Sequence, residues 1–322
     1  QTSADIEAEK IVISTILDEY PDHRIIGEEL GIQNKDSHSD YLWAIDPIDG
    51  TCAYLNHETT SCINLSLLKG REAILGLVYN PFINELYTTT KGNCSELNKR
   101  KLPLIKKDNI KDATLNFKLK KGNIKDLEVL STIESDKQIN KLMNQRGAPS
   151  YGLALVAKGS HDFFVFECSR KPSPEDYSAG VLLVRNAGGL VTNLEGKNID
   201  PLTEENHLIA GSNPKNHEKF LEILNNYGFG EKTSGGKIVY VGGFYGTGKS
   251  TIAMKLEEKL GYQRFNADLT RRELTRTGYN LEDTDVVWGT IFWKAGQALQ
   301  EGKKVIIEST YLNETQRKPD YD

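Results

Sequence analysis

Tyr41 to Ile45 is a short apolar run that passes directly into Asp46-Pro47-Ile48-Asp49-Gly50-Thr51. The run has the pattern of a buried strand. Two carboxylates therefore follow a buried element, and no other feature of the 322-residue chain restricts its surroundings as much. Carboxylates crowded together repel unless cations neutralise them. Pro47 stiffens the expected turn between the acids, and Gly50 lets the backbone come close to an anion. The amides of Gly50 and Thr51 would face phosphate oxygens if a helix starts there. The Thr51 hydroxyl would then be placed to help orient and deprotonate a metal-bound water.

Further acids lie in Gly27-Glu28-Glu29 and in Asp176-Tyr177-Ser178-Ala179-Gly180, which opens a helix. Each piece alone has a plain structural reading. Asp-x-x-Asp-Gly is a common turn, Asp176 suits a helix N-cap, and Glu28 and Glu29 are ordinary surface acids. Thr2-Ser3-Ala4-Asp5 fits a capping box, a structural role for Asp5. Together they suggest more. Magnesium takes hard oxygen ligands, and carboxylates from separate loops can hold two or three ions against one phosphate. That chemistry is hydrolysis of a phosphate monoester.

The set resembles the inositol monophosphatase family, over roughly residues 1 to 225. The resemblance rests on Tyr20-Pro-Asp-His-Arg-Ile-Ile-Gly-Glu-Glu29, on Trp43-Ala-Ile-Asp-Pro-Ile-Asp-Gly-Thr51, and on Leu77-Val-Tyr-Asn-Pro81 with Glu85-Leu-Tyr87. It closes with Asp176 to Gly180 and Ala187-Gly-Gly-Leu-Val-Thr192. The implied fold is α/β, a layered αβαβα sugar-phosphatase sandwich. By this resemblance Glu28, Asp46 and the Ile48 carbonyl hold a first Mg2+, while Asp46, Asp49 and Asp176 hold a second. Thr51, paired with Asp5, would polarise the attacking water, and Gly50 and Thr51 would bind the substrate phosphate. Water would attack phosphorus directly, without a phosphoenzyme. Family members are often homodimers.

The chain also departs from that pattern. Glu175 stands where the second signature usually has tryptophan, and Cys52-Ala53-Tyr54 replaces the Asn-Phe that often follows Gly-Thr. The loop from Asp162 to Asp176 is longer than in the inositol-specific enzymes. Counted back from Asp176, Ser169 takes the place of a polyol-binding glutamate, with Glu167 as the alternative. The nucleotide-bisphosphate branch usually carries a lysine where Cys52 stands, so 3′-phosphonucleotides rank lower. The expected substrate is a small polyol, sugar or nucleotide phosphate. Fructose-1,6-bisphosphatase and 3′(2′),5′-bisphosphate nucleotidase activities are the alternatives.

Other elements follow from periodicity. Helices are expected over Ile6 to Tyr20, Ser178 to Ala187 and His217 to Asn225, and strands over Ser61 to Leu68, Ala73 to Tyr79, Leu86 to Thr89 and Leu190 to Thr192. Lys99 to Lys125 is lysine-rich and reads as a solvated face. After the glycine-rich stretch from Asn226 to Gly236 the texture changes, which places a domain boundary near residue 231 and divides the chain into 1–230 and 231–322.

Gly243-Phe-Tyr-Gly-Thr-Gly-Lys249-Ser250 satisfies G-x-x-x-x-G-K-[ST], between an apparent strand (Lys237 to Val241) and an amphipathic helix (Ser250 to Leu260). Backbone amides of the loop, with Gly243, Gly246, Thr247 and Gly248, would wrap the β-phosphate of ATP. Lys249 would reach the β- and γ-phosphates, and Ser250, followed by Thr251, would bind Mg2+. Lys237 to Arg317 resembles the small P-loop kinases of the zeta-toxin, polynucleotide-kinase and adenylylsulfate-kinase type, a partial P-loop NTPase α/β domain. That likeness makes Asp268 a candidate base and Arg271 a phosphate or substrate contact. Glu308, in Val305-Ile-Ile-Glu-Ser-Thr310, stands in place of the usual aspartate. Asp268, Arg271 and Arg272 equally suit a plain surface. The first helix of the phosphatase domain and the lid of the kinase domain are expected to lie outside this sequence.

Forty Lys and Arg against 45 Asp and Glu give a net charge of −5. That argues against broad binding to nucleic acid or anionic membrane. No apolar run approaches the ~18 to 20 residues of a spanning helix. Cys52, Cys62, Cys94 and Cys168 form no C-x-x-C pair and read as reduced thiols of a cytoplasmic protein. The six histidines show no ligand spacing. Trp288 and Trp293 share an apolar helical pattern with Val287, Ile291 and Phe292 and read as core. A rival to a second catalytic domain is an ATP sensor that controls the first. A sensor needs Lys249 alone, whereas a kinase needs Asp268 and Glu308 turned to the γ-phosphate.

Overall fold

The computed structural model describes residues 3–103, 108–120, 122–145, 147–167, 173–200, 207–230, 238–242, 248–276 and 284–309. The chain divides into two compact units, Gln1–Gly230 and Glu231–Asp322. Each has its own core.

In the first unit, α1 (Ser3–Glu19) precedes β1 (Arg24–Gly27), β2 (Gly31–Gln33) and β3 (Tyr41–Asp49). A short α2 (Thr51–Leu55) leads to β4 (Cys62–Lys69), β5 (Glu72–Asn80), β6 (Glu85–Thr90), β7 (Glu96–Leu97) and β8 (Arg100–Lys101). These eight strands form one sheet in the order 2-1-3-4-5-6-7-8, antiparallel except for β1 beside β3. The rest of the unit contains β9 (Thr114–Lys118), α3 (Ile124–Ser135), β10 (Lys141–Asn144), α4 (Pro149–Lys158) and β11 (Phe163–Glu167). Then come α5 (Pro174–Asn186), β12 (Leu190–Thr192), β13 (His207–Gly211) and α6 (Pro214–Asn226). Strands β9 to β13 make a second sheet in the order 10-9-11-13-12.

Alternation along the strands decides the layers, because successive strand residues face opposite sides. On β3, Trp43 and Ile45 join Ile16 of α1, whereas Ala44 joins Leu182 of α5. On β11, Phe164 and Phe166 pack with Leu153 and Leu183 of the α4–α5 pair. Phe163 and Val165 turn the other way, to Leu130 of α3 and Phe220 of α6, and the rings of Phe163 and Phe220 stack with centroids 4.2 Å apart. The outcome is five layers: α1, sheet, α4 with α5, sheet, α3 with α6.

Several expectations need correction. The lysine-rich stretch is more than a solvated face, since it contains β9, whose Leu115 and Phe117 are buried. Helix α5 starts four residues before Ser178, at Pro174. Proline suits a first helical position because its missing amide needs no partner there.

In the second unit, β14 (Ile238–Gly242), α7 (Lys249–Leu260), β15 (Tyr262–Asn266), α8 (Ala267–Arg276), α9 (Thr284–Gln300) and β16 (Lys304–Ser309) follow in turn. The three strands are parallel, in the order 14-16-15. Helix α9 buries Val287, Ile291, Ala295 and Ala298 at helical spacing. Trp288 packs partly against that core, but Trp293 is exposed, so only one of the two tryptophans belongs to it. Among the described residues, no helix is long and apolar enough to cross a membrane.

Candidate functional site

Asp46 and Asp49 are three residues apart, a spacing that places side chains on opposite faces of a regular strand. Here they share one face. Asp46 pairs with Asn64 and Asp49 with Cys62, so three steps along β3 match two along β4. The extra residue is a β-bulge, and Pro47, which has no amide to pair, falls inside it. The expected turn is therefore a bulged continuation of β3. The Ile48 amide donates to Asp46 Oδ1 at 3.0 Å, and the Thr51 hydroxyl donates to the Ile48 carbonyl at 3.3 Å. Gly50 caps α2 in the left-handed region, at φ 84°.

Asp46 and Asp49 are each 3% exposed. Burial pushes the Asp46 carboxyl well above its usual range, and the charges of Asp49, Glu28 and Asp176 push it further. Asp49 is raised to about 7, by burial first. Asp176 adds to that shift, while Lys118 and Ser150 oppose it. Glu28 follows β1, its amide donating to the Ile45 carbonyl at 3.2 Å. Asp176 lies in the first turn of α5, where it accepts the Ser173 amide at 3.1 Å. Its capping role and its influence on Asp46 and Asp49 thus coexist. Four carboxylates converge from the end of β1, the bulge of β3 and the start of α5. Their oxygens are the hard donors that magnesium takes, and a cation would relieve the repulsion that raises Asp46. The residues fit such an ion.

Asp5 is buried on α1, one turn before Glu9. Glu9 accepts the amides of Glu29 at 2.9 Å and Leu30 at 3.0 Å, tying α1 to the segment that carries Glu28. Glu9, Lys118 and Ser150 are contributors that sequence reasoning missed. Glu9 lies four residues after Asp5 and so on the same helical face, a signal that was available. Lys118 and Ser150 reach Asp49 only through tertiary structure.

Glu167, the alternative polyol contact, accepts the Lys120 amide at 3.0 Å and the Asn123 side-chain amide at 2.7 Å. It stands with Asp126 and His207, and the ligand atoms of these three lie within 4.8 Å of one another. Histidine spacing in the sequence gave no hint of that group. Burial alone would raise the Asp126 carboxyl, but His207, the Gly230 amide and Asn123 outweigh it and hold the carboxyl low. Ser169 and Cys168 fall outside the described residues.

In the second unit, Gly243, Gly246 and Thr247 also fall outside the described residues. Gly248, at φ 83°, caps α7, where Lys249 is buried at the first position. Ser250 and Thr251 follow in the same turn, and the Ser250 hydroxyl donates to Glu308 Oε1. Glu308 Oε2 lies 3.6 Å from Arg264 Nε. Glu308 is placed by the sheet, since β16 neighbours β14 and Glu308 pairs with Val241 near its end. Asp268, in the first turn of α8, accepts from Arg271 at 3.1 Å on the same helix, and its side chain is half exposed.

Comparison with known proteins identifies the family of the first unit. Residues 1–228 match the model of the inositol monophosphatase family, and residues 238–321 match that of an AAA domain. An inositol-1-monophosphatase of Bacillus subtilis is 32% identical over 230 residues, covering 69% of this chain and 82% of that protein. A fructose-1,6-bisphosphatase/inositol-1-monophosphatase of Aquifex aeolicus is 31% identical, covering 69% and 81%. The Nus factor SuhB of Escherichia coli K12 is 34% identical, covering 66% and 78%. Among solved structures, the inositol monophosphatase of Anabaena superposes with a TM-score of 0.62 at 26% identity, covering 70% of this chain and 86% of that one. By these matches, the chain belongs to the inositol monophosphatase family and continues into an AAA-type segment.

Proposed function

We propose that the first unit is a Mg2+-dependent phosphomonoesterase acting on a small polyol, sugar or nucleotide phosphate. The observation that best supports this reading is the convergence of Glu28, Asp46, Asp49 and Asp176 on one buried site, where burial first and then the neighbouring carboxylates raise Asp46. Glu28, Asp46 and the Ile48 carbonyl would hold one ion, and Asp46, Asp49 and Asp176 a second. Bound there, the ions would activate a water and stabilise the leaving oxygen. Thr51, paired with Asp5, would orient and polarise that water. The amides of Gly50 and Thr51 hold the phosphate. The activities for which the B. subtilis and A. aeolicus relatives are named support the ester class. Fructose 1,6-bisphosphate and 3′(2′),5′-bisphosphates remain the alternative substrates.

The test is phosphate release from inositol 1-phosphate, fructose 1,6-bisphosphate and 3′-phosphoadenosine 5′-phosphate, with and without magnesium. Release should require magnesium and fall at least ~100-fold in Asp49→Asn, a larger loss than removing a ligand's supporting partner brings. Release from none of the esters by folded protein would sink the assignment.

The second unit is read as an ATP/Mg2+ site, residues 231–322 forming its domain and 1–230 the phosphatase. Contact between Ser250 and Glu308 supports it, because P-loop proteins hold magnesium between the loop hydroxyl and an acid on a neighbouring strand. A kinase would use Asp268 as base and Arg271 as a phosphate contact. The pairing of Asp268 with Arg271 on their own helix favours the alternative, an ATP-sensing module. Cytoplasmic residence and a homodimer belong to the same reading, by analogy with the family. The free thiols of Cys52, Cys62 and Cys94 are consistent with a reducing compartment.

A further inference from the structure

Ser150 occupies the second position of α4, behind Pro149, and is fully buried. Its amide donates to Asp49 Oδ2 at 3.1 Å, and its hydroxyl donates to the same oxygen. A serine hydroxyl carries one proton. With that proton committed to Asp49, the Cys62 thiol, 3.2 Å from Ser150 Oγ, is the donor in their contact. A chain of two hydrogen bonds thus runs from Cys62 through Ser150 to Asp49.

Two glycines permit this approach. A Cβ on Gly50 would stand 2.7 Å from the Ala148 amide nitrogen, and one on Gly147 would stand 2.3 Å from the Thr60 carbonyl oxygen. The start of α4 therefore presses against Gly50, the junction between Asp49 of β3 and Thr51 of α2, and the Ala148 amide donates to the Thr60 carbonyl at 3.0 Å. From the other side, Lys118 Nζ of β9 donates to the Gly147 carbonyl at 2.8 Å. The segment before Ser150 is held from both sides.

We propose that Ser150 is a positioning residue for Asp49. Two donors on Oδ2 fix the carboxylate's rotamer and leave Oδ1 as the oxygen offered to a divalent cation. The inference rests on the reading of Asp49 as a cation ligand. A ligand already held in one rotamer loses less conformational entropy when the ion arrives, and groups that orient metal ligands typically contribute about 10- to 100-fold in affinity.

The experiment is a titration of the metal-free protein with Mn2+, followed by electron paramagnetic resonance, beside the Mg2+ dependence of phosphate release. Ser150→Ala should weaken Mn2+ binding about tenfold or more and raise the half-saturating Mg2+ concentration by the same factor. Turnover at saturating Mg2+ should stay within about threefold of wild type, the pattern of lost binding rather than lost chemistry. Ser150→Cys, which keeps a weaker donor in the same space, should fall between wild type and Ser150→Ala. Unchanged Mn2+ affinity in Ser150→Ala, with Asp49→Asn impaired, would overturn the role of Ser150 and leave the reading of Asp49 intact. Unchanged affinity in Asp49→Asn as well would overturn that reading itself. Circular dichroism identifies any variant that does not fold; should Ser150→Ala be one, Ser150→Cys decides by the same comparison.

Discussion

The carboxylate of Glu9 lies over Gly27, so that a Cβ added there would stand 1.9 Å from Glu9 Oε1. Glu9 is fully buried and accepts the amides of Glu29 and Leu30. The glycine before Glu28 is thus required by a side chain from α1, eighteen positions earlier, rather than by a turn.

Gly27→Ala should therefore displace Glu9 and strip two amides of their acceptor. Leaving buried donors unpaired costs about 1–3 kcal/mol, so a lower thermal midpoint is expected. The half-saturating Mg2+ concentration should rise with it, since Glu28 is the next residue. A variant with wild-type melting would show that Glu9 has somewhere else to go.

Magnesium should stabilise the fold more at high pH than at low pH. Asp49 is raised from 3.8 to about 7 in the metal-free protein, and Asp46 is raised as well. A folded value above the unfolded one means that ionisation opposes folding. The contribution to stability is fully present below 3.8 and is lost as pH rises through about 7. Removing magnesium with a chelator should lower the melting temperature more at about pH 8 than at about pH 5. Equal shifts at both values would mean that these carboxylates do not carry the linkage.

Lys249→Ala should weaken ATP binding by at least about tenfold, or ~1.4 kcal/mol, because a buried ammonium at the head of α7 is lost. Fluorescence titration with a labelled ATP analogue reads this directly. Phosphate release by the same variant serves as the companion measurement. A change in its ATP response would favour the sensor, and no change would favour an independent second activity.

Much of this arrangement was legible in the sequence for identifiable reasons. The acids of Asp46-Pro47-Ile48-Asp49 stood beside an apolar run, and the loop ending in Lys249-Ser250 stood between a strand and a helix, so motif and context agreed. Periodicity found β4, β5 and β6, apolar runs bounded by turn residues, of which β4 alternates regularly. It did not find β9, because lysines around Leu115 and Phe117 concealed a short buried pattern. It also missed the early start of α5 at Pro174, although proline suits a helix's first turn. Ser150 and Lys118 carried no signal at all. Their meeting with Asp49 depends on α4 and β9 being brought to β3, and such meetings have no local signature in the chain.

The bulge in β3 has a consequence for how this segment tolerates change. Side-chain direction along a strand is a matter of parity, odd or even, so one added residue flips everything beyond it. Conservative exchanges at Pro47 or Ile48 leave that count alone. Deleting either residue would remove the bulge but leave Asp46 and Asp49 two positions apart, still on one face; ironing out the bulge at unchanged length would instead send Asp49 to the α1 side of the sheet, with every atom of the carboxylate still present and none of it facing Asp46.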